Sequence, residues 1–210
     1  MSSIFTITAA PDTDIWRKPP HTDVFNAATA PSPSTKTKGP LPSFLSAKAS
    51  FSFPWTEQYD QAGLLLSFRP LHSPNTITSP TKWIKTGIEF YNGQPQLSTV
   101  ACDRWADWSV SPLATVDAAE PSKTETSWTT ILIEKEVNFN ETNERGSSLW
   151  VYHVLEGGEK VALREICWVY GDDNDGVEWE LEVLAMAARP AKNATTGLEV
   201  QVRDMEVKWA

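Results

Sequence analysis

Strand-type patterns run through this chain from one end to the other, and no stretch repeats apolar residues at helical spacing between start and stop signals. They fall at residues 4–8, 48–53, 62–69, 82–91, 96–103, 108–111, 127–138, 148–155, 160–170, 177–187 and 197–209. Each is rich in Val, Ile, Thr, Trp, Tyr or Phe and is bounded by Gly, Pro, Asn or Asp. About eleven strands with hardly any helix imply a sandwich or barrel. Strand character at both extremes predicts that the first and last strands meet in one sheet, which would tie both ends down.

Strand patterns flank every irregular piece, so residues 1–210 are read as a single domain, a size that all-β sandwiches routinely reach. Apolar residues make up 40% and charged residues 21%, enough for a substantial core and too apolar for a disordered protein. A net charge of −9 without any run of Lys or Arg argues against nucleic acid as a partner. Segment 1–16 lacks a basic start followed by a long apolar core, and no segment approaches the roughly 18 apolar residues of a spanning helix. A cytoplasmic protein with no membrane partner is expected. Cys102 and Cys167 lie in strand-like runs and read as buried, unpaired thiols. The irregular segment 25–44 carries four prolines among Ser, Thr and Lys and reads as a long surface loop or insertion.

The chemistry concentrates in residues 82–112. Two strand-like runs there are joined by a Tyr91-Asn92-Gly93 turn. Alternation puts Ile84, Thr86, Ile88 and Phe90 on one side of the first run, and Trp83, Lys85, Gly87, Glu89 and Tyr91 on the other. A core face thus lies back to back with an aromatic, charged face suited to a sugar or polar ring compound. Lys85 and Glu89 are four residues apart, about 13 Å along an extended strand, so each needs a separate partner. That partner is a ligand, for which Gly87 leaves room, or a neighbour such as Arg164 or Asp107.

Other motifs weigh less. Most of the ten tryptophans read as packing, with Trp83, Trp150 and Trp168 on faces that also carry polar groups. The acids Glu178, Glu180 and Glu182 resemble the alternating acids of laminarinase-type glucanases. Their i, i+4 spacing exceeds the about 5 Å that a retaining pair needs, and a solvated strand face explains them. The acidic turn at 172–176 fits a hairpin better than a calcium loop, so neither metal nor cofactor is expected. His153 shares a face with Leu149, Val151 and Leu155, and Glu165 one with Leu163 and Cys167, while Arg164 points to the opposite face with Ile166, Trp168 and Tyr170.

Several short motifs, in order, resemble a concanavalin-like domain family of unknown function that includes the fungal regulation-of-enolase protein. The matching positions are Trp83, Lys85, Gly87, Glu89 and Tyr91, then Ser98 and Val100, then Asp107, Trp108 and Ser109. Asp14–Trp16 with Pro19-Pro20 looks like the family's opening, followed by Ala62-Gly63-Leu64. Leu163 to Trp168 and Ala187-Ala188-Arg189-Pro190 resemble its closing strands. The chain departs from the pattern in the acidic Glu178–Glu182 stretch and in the length of segment 25–44. The resemblance implies an all-β, two-sheet jelly-roll sandwich of the concanavalin A-like lectin and glucanase type, with a concave face. It implies no established catalytic mechanism.

These readings leave three function classes. The first is a module that binds a carbohydrate or small metabolite, with Trp83, Lys85, Glu89, Tyr91, Asp107, Trp108, Arg164 and Trp168 as candidate contacts. The second is a glycan-active enzyme, or an isomerase or cyclase of fungal metabolites. Glu89, Lys85, Arg164, His153 and Glu165 would handle its protons. The third is an interaction or regulatory module with a Trp-rich surface. The oligomeric state is left open.

Overall fold

Two antiparallel sheets lie face to face in the computed structural model, which describes residues 4–71, 79–113, 127–137, 145–171 and 176–210. One sheet has six strands in the order β1 (Ile4–Ala9), β15 (Leu198–Trp209), β6 (Phe44–Ser52), β11 (Thr129–Val137), β12 (Arg145–Val154) and β13 (Lys160–Ile166). The other has seven strands. Its main path is β10 (Ala106–Pro112), β9 (Gln94–Cys102), β8 (Lys82–Tyr91), β7 (Gln61–Pro70), β14 (Trp179–Ala188) and β4 (Ala28–Ala30), and β5 (Lys38–Pro40) also pairs with β14. A separate hairpin joins β2 (Ile15–Lys18) and β3 (Thr22–Phe25). Apart from these strands, the described residues hold one short 3-10 turn at Leu41–Ser43. Of the sandwich or barrel that the strand patterns allow, this is the all-β, two-sheet sandwich that the family resemblance implies. The first and last strands pair from Ile4 with Arg203 to Ala9 with Leu198, so both ends are tied into one sheet.

Alternation along each strand builds the main core between the sheets. Phe51, Ile131, Ile133, Leu149 and Val151 point inward from the six-stranded sheet to meet Leu64, Leu66, Phe68, Ile84 and Ile88 from the other. The central strands of the seven-stranded sheet behave differently. Leu64, Leu65 and Leu66 are consecutive and each at most 1% exposed, so β7 is covered on both faces. The cover on the outer face is the β2–β3 hairpin. Under it lies a second core of Ile15, Leu65, Trp83, Val100, Cys102, Met186 and Ala188, with Trp16, Phe25 and Trp108 packed against it. Arg17 pins the hairpin down by donating to the carbonyls of Pro80 and Thr81 and to Ser79 Oγ, at 3.0–3.1 Å, just before β8 begins.

Three expectations need correction. Segment 25–44 is more than a surface loop, because it contributes β4 and β5 to the seven-stranded sheet and buries Leu41 and Ser32. Polar and proline-rich chain can pair at a sheet edge, where only one side of the ladder is used. Its carbonyl at Lys36 accepts the indole N–H of Trp209 at 2.9 Å, joining this segment to the last strand. Cys167 is exposed, because β13 ends at Ile166 and the next residues turn. Trp168 and Tyr170 therefore sit in that turn and pack against the rim of the main core instead of extending the strand.

Candidate functional site

On β8 the outward side chains run Trp83, Lys85, Gly87, Glu89, and the hairpin covers only the first of them. Trp83 is fully buried in the second core beneath Ile15, out of a ligand's reach. Lys85 and Glu89 are 5% and 6% exposed, yet both line a cavity of about 260 Å³ together with Asp14, Trp16, Tyr59, Val100 and Trp108. Gly87 lies opposite Gly63 in the register of β7 and β8. A Cβ on Gly87 would stand 2.0 Å from the Ala62 carbonyl oxygen, and one on Gly63 would stand 2.1 Å from that of Thr86. Only glycine permits this close approach, and the missing side chains leave space between Lys85 and Glu89.

Each charge has its own partners. The Lys85 ammonium donates to Gln61 Oε1 at 2.7 Å and to Asp14 Oδ1 at 3.2 Å. Gln61 Nε2 in turn donates to Asp14 Oδ1 at 3.3 Å, and the Ile15 amide to the same oxygen at 2.7 Å. Glu89 Oε2 accepts from Ser98 Oγ at 2.7 Å and from the Trp108 indole at 2.9 Å. Its other oxygen, Oε1, accepts from no described residue. Taking an ion from water into a protein interior costs several kcal/mol unless hydrogen bonds replace the water. Here protein donors serve Oε2, and the side chain faces the cavity.

The walls are aromatic and held from behind. Tyr91 stacks on Tyr59 at 5.8 Å between ring centroids and meets Trp108 edge-on at 5.0 Å, so it buttresses two lining rings. Tyr59 has a φ of 68°, a region that bulky residues rarely enter. The turn that holds it there is fastened by a buried ion pair. Arg189 Nε and Nη2 donate to the two oxygens of Asp60 at 2.8 and 2.7 Å, and the Thr56 and Glu57 amides donate to Asp60 Oδ2 at 3.0 Å. Asp60 is wholly buried and Arg189 is 3% exposed. The bonds to Asp60 raise the Arg189 pKa further, against burial, so the guanidinium stays charged. The Arg189 backbone also exchanges hydrogen bonds with Thr13, placing Asp14 at the cavity mouth.

The candidates named from the sequence thus divide. Lys85, Glu89 and Trp108 line the cavity, and Tyr91 supports it. Arg164, on the edge strand of the other sheet, donates to the Asp107 backbone carbonyl and to Ser109 Oγ at 3.1 and 3.2 Å and forms an ion pair with the Asp107 carboxylate. Arg164 and Asp107 therefore clamp the two sheet edges together. Trp168 packs edge-on against Phe68 at 5.7 Å, with the Lys82 ammonium 5.4 Å from its ring. His153 and Glu165 belong to the six-stranded sheet, His153 opposite Ile131 and Glu165 bonded to Ser148. Burial lowers the His153 pKa. Cavity residues not named from the sequence as contacts are Asp14, Trp16, Tyr59 and Val100, with Gln61 and Ser98 behind them. Asp14, Trp16, Ser98 and Val100 lie within the family-like motifs, whereas Tyr59 sits in an irregular turn without a pattern. Among the described residues no group of three or more His, Cys, Asp or Glu could hold a metal ion. Residues 172–175 of the acidic turn lie outside the described residues.

Comparison with known proteins agrees with the fold. A family model described as a protein of unknown function (DUF1349) matches residues 2–209. The uncharacterized protein AN7484 of Emericella nidulans is 37% identical over 187 residues, covering 89% of this chain and 78% of that protein. The crystal structure of a functionally unknown protein from Saccharomyces cerevisiae superposes with a TM-score of 0.66 at 18% identity, over 99% of this chain and 92% of that one. A mutant of the GH43 protein BlXynB from Bacillus licheniformis matches with a TM-score of 0.51 at 10% identity, over 97% of this chain and 33% of that one. At such identities both structures speak to the β-sandwich fold alone.

Proposed function

We propose that this chain, which belongs to the DUF1349 family, binds a carbohydrate or small polar metabolite in the cavity on the outer face of its seven-stranded sheet. Glu89 carries the reading. A carboxylate only 6% exposed leaves one oxygen without a donor among the described residues, and that side chain lines a cavity walled by Trp16, Tyr59 and Trp108. Aromatic walls with a few placed polar groups suit a ring compound that has apolar faces and polar edges. At about 260 Å³ the cavity is small for a ligand site and suits one ring. A regulatory use of such binding is part of this reading, resting on the fold analogy and the aromatic, polar face, in the cytoplasm, where the two free thiols would persist.

An enzyme reading draws on the same cavity, because Glu89 and Lys85 both open onto it. An acid–base step on a glycan or a cyclising metabolite would fall to Glu89, Lys85 and Asp14, with Arg164 left to its role at the sheet edge. The test is Glu89→Gln, which is nearly isosteric. Losing a hydrogen bond to a charged group costs about 1.5–3 kcal/mol, so ligand affinity should fall about tenfold or more while the melting temperature moves by only a few degrees. A variant that melts far lower yet keeps full binding or turnover makes Glu89 a structural residue and removes the site.

A further inference from the structure

Granted that this cavity is the binding site, the geometry points to an uncharged polyhydroxy ring as its ligand, preferred over phosphorylated and carboxylated sugars. Among the described residues the acidic and basic side chains lining it are Lys85, Asp14 and Glu89, whose formal charges, one positive and two negative, sum to −1. Glu89 Oε2 is taken by Ser98 and Trp108, so Oε1 calls for a donor from the ligand. Lys85 gives two of its three N–H groups to Gln61 and Asp14, which leaves one for an acceptor on the ligand.

A ligand must therefore offer a donor at one end of the glycine floor and an acceptor at the other. Hydroxyl groups do both. A phosphate or carboxylate group itself brings acceptors alone at neutral pH, so within an anionic sugar only the remaining hydroxyls could serve Glu89. The anionic group would meet Lys85 already paired with Asp14, and would face the bare oxygen of Glu89 in a setting that screens charge poorly. An ammonium group would satisfy Glu89 but would be repelled by Lys85. The chain's net charge of −9 adds a long-range barrier to anions. Trp16, Tyr59 and Trp108 offer apolar surface to the C–H faces of a ring and take no account of its charge.

The experiment is calorimetric titration of the full chain with neutral methyl hexosides and methyl xyloside, each beside its uronate or 6-phosphate counterpart where one exists. Serine serves as a zwitterionic probe. At least one neutral glycoside should bind, about tenfold or more tighter than its anionic counterpart. Asp14→Asn takes the cavity charge from −1 to 0 while keeping an oxygen toward Lys85, and should narrow that ratio severalfold. Glu89→Gln should narrow it as well, and serves where Asp14→Asn fails to fold. Tighter binding of a uronate, a sugar phosphate or serine, or a ratio unmoved by a folded variant, overturns the inference and leaves the cavity a binding site. Failure of the whole panel to bind overturns the inference together with the carbohydrate reading.

Discussion

The two sheets present opposite kinds of outer face. On the six-stranded sheet Trp150 and Tyr152 stack at 6.1 Å, and Lys160 reaches both oxygens of Glu134 at 2.8 Å, with 46% and 29% of those charged side chains exposed. Burial comes first in raising the Tyr152 pKa, and the carboxylates of Glu134, Glu136 and Glu165 add to it, so the phenol stays neutral. Water reaches the Lys160–Glu134 pair, and such exposed pairs contribute little to stability. On the seven-stranded sheet Lys85, Glu89, Asp60 and Arg189 are all nearly or wholly buried. Replacing buried charges with apolar residues is often neutral or stabilising, so stability alone does not explain them. On the proposed reading a ligand uses Lys85 and Glu89, while the Asp60–Arg189 pair holds Tyr59 at the cavity wall.

The sharpest contrast lies between Arg189 and Lys160. Arg189→Ala strands the buried Asp60 carboxylate and should cost about 3–5 kcal/mol, read as a lower urea midpoint. A loss below about 1 kcal/mol would mean that the pair is dispensable and that Tyr59 is held by other means. Next comes Cys102, sealed under the hairpin, where burial pushes the thiol pKa from 9.0 to about 11 even though the Arg17 guanidinium pulls it down. Between those values the unfolded chain releases the proton and the folded chain keeps it, so stability present below pH 9.0 is lost as pH rises toward 11. The loss should be ~2–3 kcal/mol, and Cys102→Ala should flatten that slope relative to the parent. An unchanged slope would show the thiol open to solvent, as Cys167 is.

A glycine pair provides the third contrast. Gly87→Ala must push β7 and β8 apart and should cost about 1–3 kcal/mol, whereas Gly157→Ala, with nothing within 4 Å of its new Cβ, should be neutral or slightly stabilising. Equal effects at both would refute the close approach of β7 and β8. The smallest effect belongs to Lys160→Ala, expected within about 0.5 kcal/mol by the same urea measurement. A larger loss would give the six-stranded face a structural weight that its exposure denies.

Alternation was enough to read most of the fold. A period of two between turn residues separates Ile84 and Ile88 from Lys85 and Glu89 without any tertiary information. The β2–β3 hairpin escaped because its four-residue strands, IWRK and TDVF, do not alternate long enough to register. That omission explains the misreading of Trp83, which alternation places beside Lys85 but which the hairpin covers. Strands β4 and β5 escaped for a related reason. At an edge, pairing is supplied by the neighbour β14, so their own residues need little strand propensity. Arg164 pointed away from Glu165 as alternation requires, yet which sheet edge it met depended on strand order, which no local pattern contains. Tyr59 could not be found from the sequence at all, since a long-range Asp60–Arg189 pair holds its turn in place.

The two outer faces can be told apart by which indoles a ligand moves. Titrating the ¹⁵N-labelled protein with the neutral methyl glycosides should shift the Trp108 side-chain N–H resonance, and that of Trp16 with it, because both rings line the cavity and the Trp108 N–H already donates to Glu89. The Trp150 resonance should stay still. Shifts centred on Trp150, with Trp108 and Trp16 unmoved, would place binding on the six-stranded sheet and contradict the assignment of the cavity.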